Sequence, residues 1–586
     1  MKRLKFFLLS GLLAVLMVSC WPGPKRHDLA QTTFPDIDEP RLDSSVYYLL
    51  DEIPDSVHPH VHWLKQMYAA NHYRAFWMTP ERIKKCDTLL MFVNRSEEHG
   101  IPYTCFISDS LRYTIHQIKT ERTSYYELAK ADIQLTFTYF SYASALIYGI
   151  VHPRSELPNY HFKTALPDSI FAIKTTKHYH GSLTSFLIAM QNKGEAYKQL
   201  QQERKYWLQF RHDSFPVISM LPYKKTLRTG DKSILIPQII RRLKITGNIA
   251  STFPDTLTVL NKPLFDALMA LRKKAGIDAD AEVGNATLRM LNRQPKEWIK
   301  IVDVNMERMR WQTIVNGKKK YVRVNVADMT LKAWRADSVA LFSKVCVGNP
   351  AINKTPFLDS RISEVVLNPQ WSVPSSIVVK EISKKVVTDT AYFGRNQMKV
   401  YHKGSEVDPS KIDWTKVSKS NQPYRLVQDA GEINSLGRIK FNFANPYGVY
   451  LHDTNAKRAF GRYNRAVSHG CVRVEKPLDL ALFCLPDIAE NQQKQLADRS
   501  IQADKIRHAI HLPVISEEGK RLLAADSLRL KSNRLWISPS VPLLVEYLTC
   551  FTNEKGKPVY RPDVYRMDEP LDSLLRLKFT LPVLFR

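Results

Sequence analysis

A multidomain α+β protein is the fold class that this sequence predicts: a helical first half, a small helical middle segment and a mainly β remainder. Three observations predict it. The chain has 586 residues, more than one hydrophobic core can organise. Through the first half, apolar residues recur at spacings of three and four, the period of amphipathic helices. From Ile299 the period shortens, and β-branched or alternating runs separated by turn residues take over.

Taken in order, residues 1–19, "MKRLKFFLLSGLLAVLMVS", place Lys2, Arg3 and Lys5 before an apolar run from Phe6 to Val18. That is the charged region and short apolar region of a signal peptide, and the run is shorter than the roughly 20 residues of a spanning helix. Cys20 directly after Ser19 resembles the lipidated first residue of a bacterial lipoprotein; a plain secretory signal or an uncleaved anchor are the other readings. Residues 20–43 are Pro-rich and polar, as in a tether. Residues 44–216 are expected to form a helical scaffold domain. "ERIKKCDTLLMFVNRSEEHGI" closes on Gly100, and "ELAKADIQLTFTYFSYASALIYGIVHP" is a long apolar helix ending near Gly149 with Pro153 beyond. Residues 217–297 carry two short amphipathic helical patterns closed by turns. Residues 298–512 hold the strand patterns, among them "KKYVRVNVADMTLKAW", "RIKFNFAN" and "YGVYLHDT". Residues 513–586 form a C-terminal segment expected to return to the scaffold, with two strands around Gly556.

Lys and Arg outnumber Asp and Glu by 85 to 57, a formal charge of +28. Such an excess suits an anionic partner. Nucleic acid is not expected, because zinc-finger spacing, compact basic repeats and RNA-binding aromatic signatures are absent. Seven cysteines, at 20, 86, 105, 346, 471, 484 and 550, lack the clustered spacing of a disulfide scaffold. Cys346 and Cys484 sit in apolar runs and read as small core residues; a Cys86–Cys105 pair is possible.

The chemistry concentrates in "YGVYLHDT" and "AVSHGCVRV". Along the first, Tyr450 and His452 share a face; along the second, Cys471 shares one with Arg473. The 19 residues from His452 to Cys471 leave room for two strand ends and the loop "NAKRAFGRYNR". Paired strands would set an imidazole beside a thiol, and an imidazole activates a thiol by taking its proton. Gly470 permits close backbone approach, and amides near Cys471 are candidate oxyanion donors. Each residue also has a bland reading, as core or surface, and His452, Asp453, His469 and Cys471 together could bind zinc.

The spacing of His452 from Ser468-His469-Gly470-Cys471 resembles the signature of L,D-transpeptidases, the peptidoglycan cross-linking enzymes with a catalytic cysteine. Val472-Arg473-Val474 departs from the common ending and resembles the large, scaffold-bearing branch of Gram-negative envelopes. Residues 217–297 resemble a small peptidoglycan-binding domain through Leu227, Arg228, Gly230, Asp231, Gly276, Gly284, Thr287, Leu291 and Asn292, departing from it at "LRKKAGIDADAE". The resemblance implies that residues 298–512 are the catalytic domain, with Cys471 as nucleophile, His452 as base and later acid, and His469 flanking the thiol. It further implies that Ser468, Gly470, Arg473, Asp453 and Thr454 shape the substrate or oxyanion site. No cofactor or metal is implied. The implied partners are peptidoglycan stem peptides and a membrane reached through the Cys20 anchor, for a monomer in the periplasm. The rival expectations are an L,D-carboxypeptidase or endopeptidase with water as acceptor, and a non-catalytic peptidoglycan-binding lipoprotein.

Overall fold

A computed structural model describes residues 28–162, 164–191, 194–277, 282–311, 317–488, 492–525, 533–579 and 584–585. The signal-like segment and Cys20 lie outside the described residues. The chain divides into two compact units. One holds the residues up to Val151, Ala165–Lys205 and those from Asp572 onward; the other holds His152–Thr164 and Tyr206–Leu571.

The first unit is helical. Its central helix, Tyr125–Tyr148, is buried on nearly every face and ends at Gly149, whose N–H still reaches Ala145. Helices Glu39–Glu52, Pro59–Ala70, Ile83–Asn94, Asp109–Thr120 and Ser169–His180 contribute to one apolar cluster with it. The expected stop at Gly100 is present, after a 3-10 turn, with Gly100 in the left-handed region. The core carries a fully buried carboxylate, Asp132. It accepts hydrogen bonds from the Tyr68 hydroxyl at 2.6 Å and from the backbone N–H groups of Phe76, Trp77 and Met78 at 2.9, 2.6 and 2.8 Å. A non-helical segment is thereby satisfied inside an apolar core, where orphaned amides would be costly. Although the central helix is long, none among the described residues is long and apolar enough to cross a membrane.

The second unit begins with helices Ile236–Ile245, Lys262–Lys274 and Asn285–Asn292. Asn292 and Asn285 clip the incoming chain, exchanging hydrogen bonds with the backbone of Ile218 and Leu221 at 2.7–2.9 Å. Helix Pro295–Arg310 follows, opened by a capping box between Gln294 and Glu297.

Strands then form a mixed sheet that closes on itself. Lys320–Asn325, Thr330–Arg335 and Ser338–Gly348 run as an antiparallel meander. Ser338–Gly348 pairs with Val472–Val474, which lies parallel to Leu451–His452. Leu451–His452 pairs with Ile439–Phe443, and that strand with Phe357–Leu367. Arg534–Glu546 bridges Phe357–Leu367 back to Lys320–Asn325, so no strand of this path is left as a bare edge. The C-terminal segment is thus divided. Arg534–Glu546 and the hairpin of Cys550–Thr552 with Pro558–Tyr560 around Gly556 belong to the β unit, and only the chain from Asp572 belongs with the helices. Hydrogen bonds tie helix Pro295–Arg310 to this sheet region: buried Arg308 donates to Asp568 at 2.5 Å and to the Tyr160 hydroxyl at 2.9 Å.

Between Phe357–Leu367 and Ile439–Phe443 the chain inserts a separate layer. Four short strands, in the order Ser405–Val407, Met398–His402, Tyr424–Gln428 and Trp371–Ser372, pack with helical turns around a core of Val378, Ile382, Val400, Trp414 and Leu426. The sequence patterns place these residues in the β domain without marking them as an insertion, because each strand is short and alternates like its neighbours.

All six cysteines among the described residues are free thiols, so the possible Cys86–Cys105 pair is not formed; both are buried in the helical core. Cys346 and Cys484 are buried, as their apolar runs predict. Burial pushes the Cys484 thiol up to about 12, so it is inert at neutral pH. Replacing Cys484 by alanine is expected to cost about 1 kcal/mol of stability while activity per folded molecule is retained. Denaturant melts alongside a turnover assay check this; a stable, inactive variant would place the chemistry at Cys484 rather than Cys471.

Candidate active site

The site lies where the short strands Leu451–His452 and Val472–Val474 meet. Their parallel register sets His452 opposite Arg473, and the Val472 N–H donates to the Tyr450 carbonyl at 3.1 Å. Side chains two apart point the same way, so Tyr450 and His452 share a face with Cys471 and Arg473. The antiparallel partner strand adds Lys440 opposite His452. The Lys440 ammonium sits 4.1 Å from the centroid of the Tyr450 ring, whose plane meets His452 edge-on at 5.5 Å.

Cys471 is half-buried at the end of the Ser468–Cys471 turn. Burial pushes its thiol above the usual range. Opposing this, the backbone and phenol of Tyr450 act to lower it, as do the positive charges of Lys440 and Arg473. Burial in turn holds the Tyr450 phenol well above its usual range, so it remains protonated, with Trp371 acting the other way. His452 is buried, and desolvation first, then Arg473, lower it to about 3; hydrogen bonding to the backbone of Asp453 and Leu436 acts the other way. Its Nδ1 makes no hydrogen bond. The resting pair is therefore a neutral imidazole beside a neutral thiol.

The turn that carries the thiol is held from a second loop, residues 349–355. The Asn353 side chain donates to the His469 carbonyl at 3.0 Å, and the Thr355 hydroxyl to the Gly470 carbonyl at 2.8 Å. Ser468 works inside the turn: its hydroxyl donates to the Cys471 carbonyl at 2.6 Å and accepts from the Gly470 N–H at 3.2 Å. That bond engages the Gly470 amide within the turn. Gly470 itself has φ +114°, and a Cβ there would lie 2.9 Å from the Asn353 amide nitrogen. Gly470→Ala is expected to shift the turn and lower kcat/KM about 100-fold, since small misplacements of a nucleophile have effects of that order. Steady-state kinetics with a melting curve check it; unchanged kinetics would free the turn from this constraint.

His469 points into the inserted layer, where its Nε2 pairs with Glu381. Glu381 lies in the π-helical turn Val378–Ile382, a geometry frequent at functional sites. Asp453 is buried and turned away from the imidazole: it accepts from the Arg438 N–H at 2.8 Å and from Lys457, and packs against Gly437. The Thr454 hydroxyl accepts from the Ala456 N–H at 3.1 Å and shapes the following loop. Arg473 lies on the site face with a buried Nε that meets no acceptor. Among the described residues no three His, Cys, Asp or Glu side chains converge as a metal-ligand set. Sequence reasoning did not assign roles to Tyr450, Lys440, Trp371 or Glu381. Tyr450 carried a readable signal, two residues from His452 in a strand. The others reach the site through strand pairing or the inserted layer, which spacing does not reveal.

A closed, mixed sheet presenting a thiol, an imidazole and two cations on one face defines a thiol–imidazole site built on short strands. Residues 319–492 match the model of the L,D-transpeptidase catalytic domain, and residues 62–203 match that of a scaffold domain. A protein of Haemophilus influenzae named "Putative L,D-transpeptidase" is 29% identical over 270 residues, 46% of this chain and 48% of the relative. The chain spans about half the length of that curated relative. It carries an L,D-transpeptidase catalytic domain together with a scaffold domain.

Proposed function

We propose that the protein is an L,D-transpeptidase that forms 3–3 cross-links in peptidoglycan through a thioester on Cys471. The observation that carries this reading is the Cys471–Tyr450–His452 arrangement within the matched catalytic domain. The Cys471 sulfur attacks the carbonyl between the third residue, a diamino acid, and the terminal D-alanine of a tetrapeptide stem. Its proton passes to His452, which then protonates the departing D-alanine amine. The side-chain amine of a second stem attacks the thioester, giving the cross-link and restoring the thiol.

The electrostatics support a site that activates when occupied. Lys440 and Arg473 favour thiolate but hold down the basicity of His452. A stem carboxylate landing beside Arg473 neutralises that charge and desolvates the thiol's surroundings further, so that the imidazole becomes the better base with substrate bound. Tyr450, which acts to lower the thiol, steadies the thiolate as it forms.

The second reading keeps the thioester and uses water as acceptor, releasing a tripeptide. The half-buried thiol lets water reach it, which is the feature that favours hydrolysis. Incubating purified enzyme with tetrapeptide stems and resolving products by mass spectrometry separates the two: cross-linked dimer supports transpeptidation, tripeptide alone replaces it with carboxypeptidase action.

The envelope setting is part of the proposal. With Cys20 as a lipidated residue, the protein works as a monomer at a membrane of the periplasm; the expected tether does not extend to residue 43, because Gln31–Thr32 pairs with Thr123–Ser124 and helix Glu39–Glu52 packs in the helical core. Cys20→Ala is expected to release it to the soluble fraction or block its maturation. Fractionation with intact-mass measurement checks this, and unchanged membrane partition without an acyl chain on the wild type would replace lipidation with an uncleaved anchor.

A further inference from the structure

Within the second unit, the helical segment meets the hairpin of Cys550–Thr552 and Pro558–Tyr560 across a small pocket. The two elements approach closely there: a Cβ on Gly276, at φ +63°, would sit 2.4 Å from the Tyr560 carbonyl oxygen. One wall is aromatic. Trp207 and Trp298 stack with centroids 5.1 Å apart and planes 8° from parallel, and Tyr560 meets Trp298 at 4.6 Å.

The polar lining is one-sided. Arg242, Lys274 and Arg293 line the pocket, and no Asp or Glu does. Arg242 is 3% exposed. Its guanidinium lies over the Phe215 ring at 4.3 Å and donates from Nη2 to the Pro216 carbonyl at 2.7 Å. Its Nε and Nη1 are buried and meet no acceptor. Burial lowers its pKa to about 10, so it is still a cation at neutral pH. A buried cation with unused donors destabilises a fold, and native chains keep few such groups without a use. At the half-buried mouth, the Arg293 guanidinium covers Trp298 at 4.6 Å, a second cation on the aromatic wall.

We propose that this pocket binds a small carboxylate-bearing ligand, its carboxylate accepting from Arg242 and its apolar face lying against Trp298. The site is separate from the Cys471 face and does not depend on the chemistry there. Two sources offer the required chemistry, an acidic sugar and a peptide C-terminus.

Tryptophan fluorescence provides the readout, because two indoles line the pocket. The full chain is titrated with N-acetylmuramic acid and its carboxamide, and with N-acetyl-alanyl-alanine and its C-terminal amide. A saturable change is expected for the acid of at least one pair, with the matching amide about tenfold weaker, the loss of one charge-assisted hydrogen bond; the responding pair identifies the source. Arg242→Met is expected to abolish the preference for acid over amide, to keep or raise the melting temperature, and to leave turnover at Cys471 unchanged. Arg293→Gln, at the mouth, is expected to weaken the acid severalfold, and it decides the matter together with the wild-type ratio should Arg242→Met fail to fold. Equal binding of acid and amide, no saturable change with any of the four probes, or wild-type acid preference in Arg242→Met would overturn the proposal.

Discussion

Cys471→Ala is expected to abolish formation of cross-linked dimer from tetrapeptide stems, a loss on the order of 10⁵-fold, while the protein melts at the wild-type temperature. The separation of the two effects follows from where the residue stands. Its sulfur is not part of an apolar core; it stands half-buried at the end of a turn, on the face that carries Tyr450. The turn is held by other atoms: the Asn353 side chain, the Thr355 hydroxyl and the Ser468 hydroxyl all bond to backbone of residues 469–471. Removing the sulfur leaves those bonds in place. It also removes a partly desolvated thiol whose burial disfavours the charged form it must reach, so folding gains nothing from its presence. Product analysis on stem peptides, with calorimetry on the same preparation, is the measurement. Residual cross-linking near the wild-type rate would eliminate the thioester. An inactive protein that has also lost its melting transition would assign Cys471 a structural role instead.

The extent to which this site was legible in the sequence follows from chain distance. His452 and Cys471 announce themselves because each sits in a short alternating run bounded by turn residues, and because the Ser-His-Gly-Cys order is specific. The change of period near Ile299 and the glycine stops at Gly100 and Gly149 mark the element types for the same local reason. What joins the site is non-local. Leu451–His452 is only two residues long, and nothing in two residues encodes a parallel partner in Val472–Val474 or places Lys440 alongside. Glu381 lies 88 positions from its partner His469, in a layer whose strands resemble those of the main sheet. Asp453 shows the reverse: expected to shape the substrate or oxyanion site, it is turned by strand alternation toward Arg438 and Lys457. A residue next to a catalytic candidate in a strand faces away from it, while a residue two positions away, such as Tyr450, stands beside it.

A β-lactam small enough to enter the site should acylate Cys471, and His452→Ala should slow that step by a factor of about 10²–10⁴, the usual contribution of a positioned base. A strained cyclic amide presents the carbonyl that the thiol attacks and a carboxylate suited to Arg473; ring opening leaves a thioester that persists where water is poorly placed. The resemblance to the family leads us to expect carbapenems to react ahead of penicillins. The acid–base state of the pair gives the reaction a distinctive pH profile. An ordinary histidine loses its basic form as pH falls through about 6.5. Burial and Arg473 lower His452 to about 3, so it stays neutral across that range in the free enzyme. The second-order rate of acylation, which reports the free enzyme, should therefore show no acidic limb between pH 7 and about pH 5. The same shift has a stability consequence of fixed sign. The unfolded chain takes up the proton first, so the contribution of the neutral, buried imidazole is fully present above about pH 6.5 and is lost progressively as pH falls toward 3. In His452→Ala that part of the acid destabilisation should be gone. Intact-mass spectrometry after incubation with a carbapenem should show one added drug mass, and peptide mapping should locate it on the peptide containing Ser468–Arg473. An adduct on another cysteine, a rate in His452→Ala equal to wild type, or an acidic limb centred near pH 6.5 would each reject a buried, neutral His452 as the base that activates Cys471.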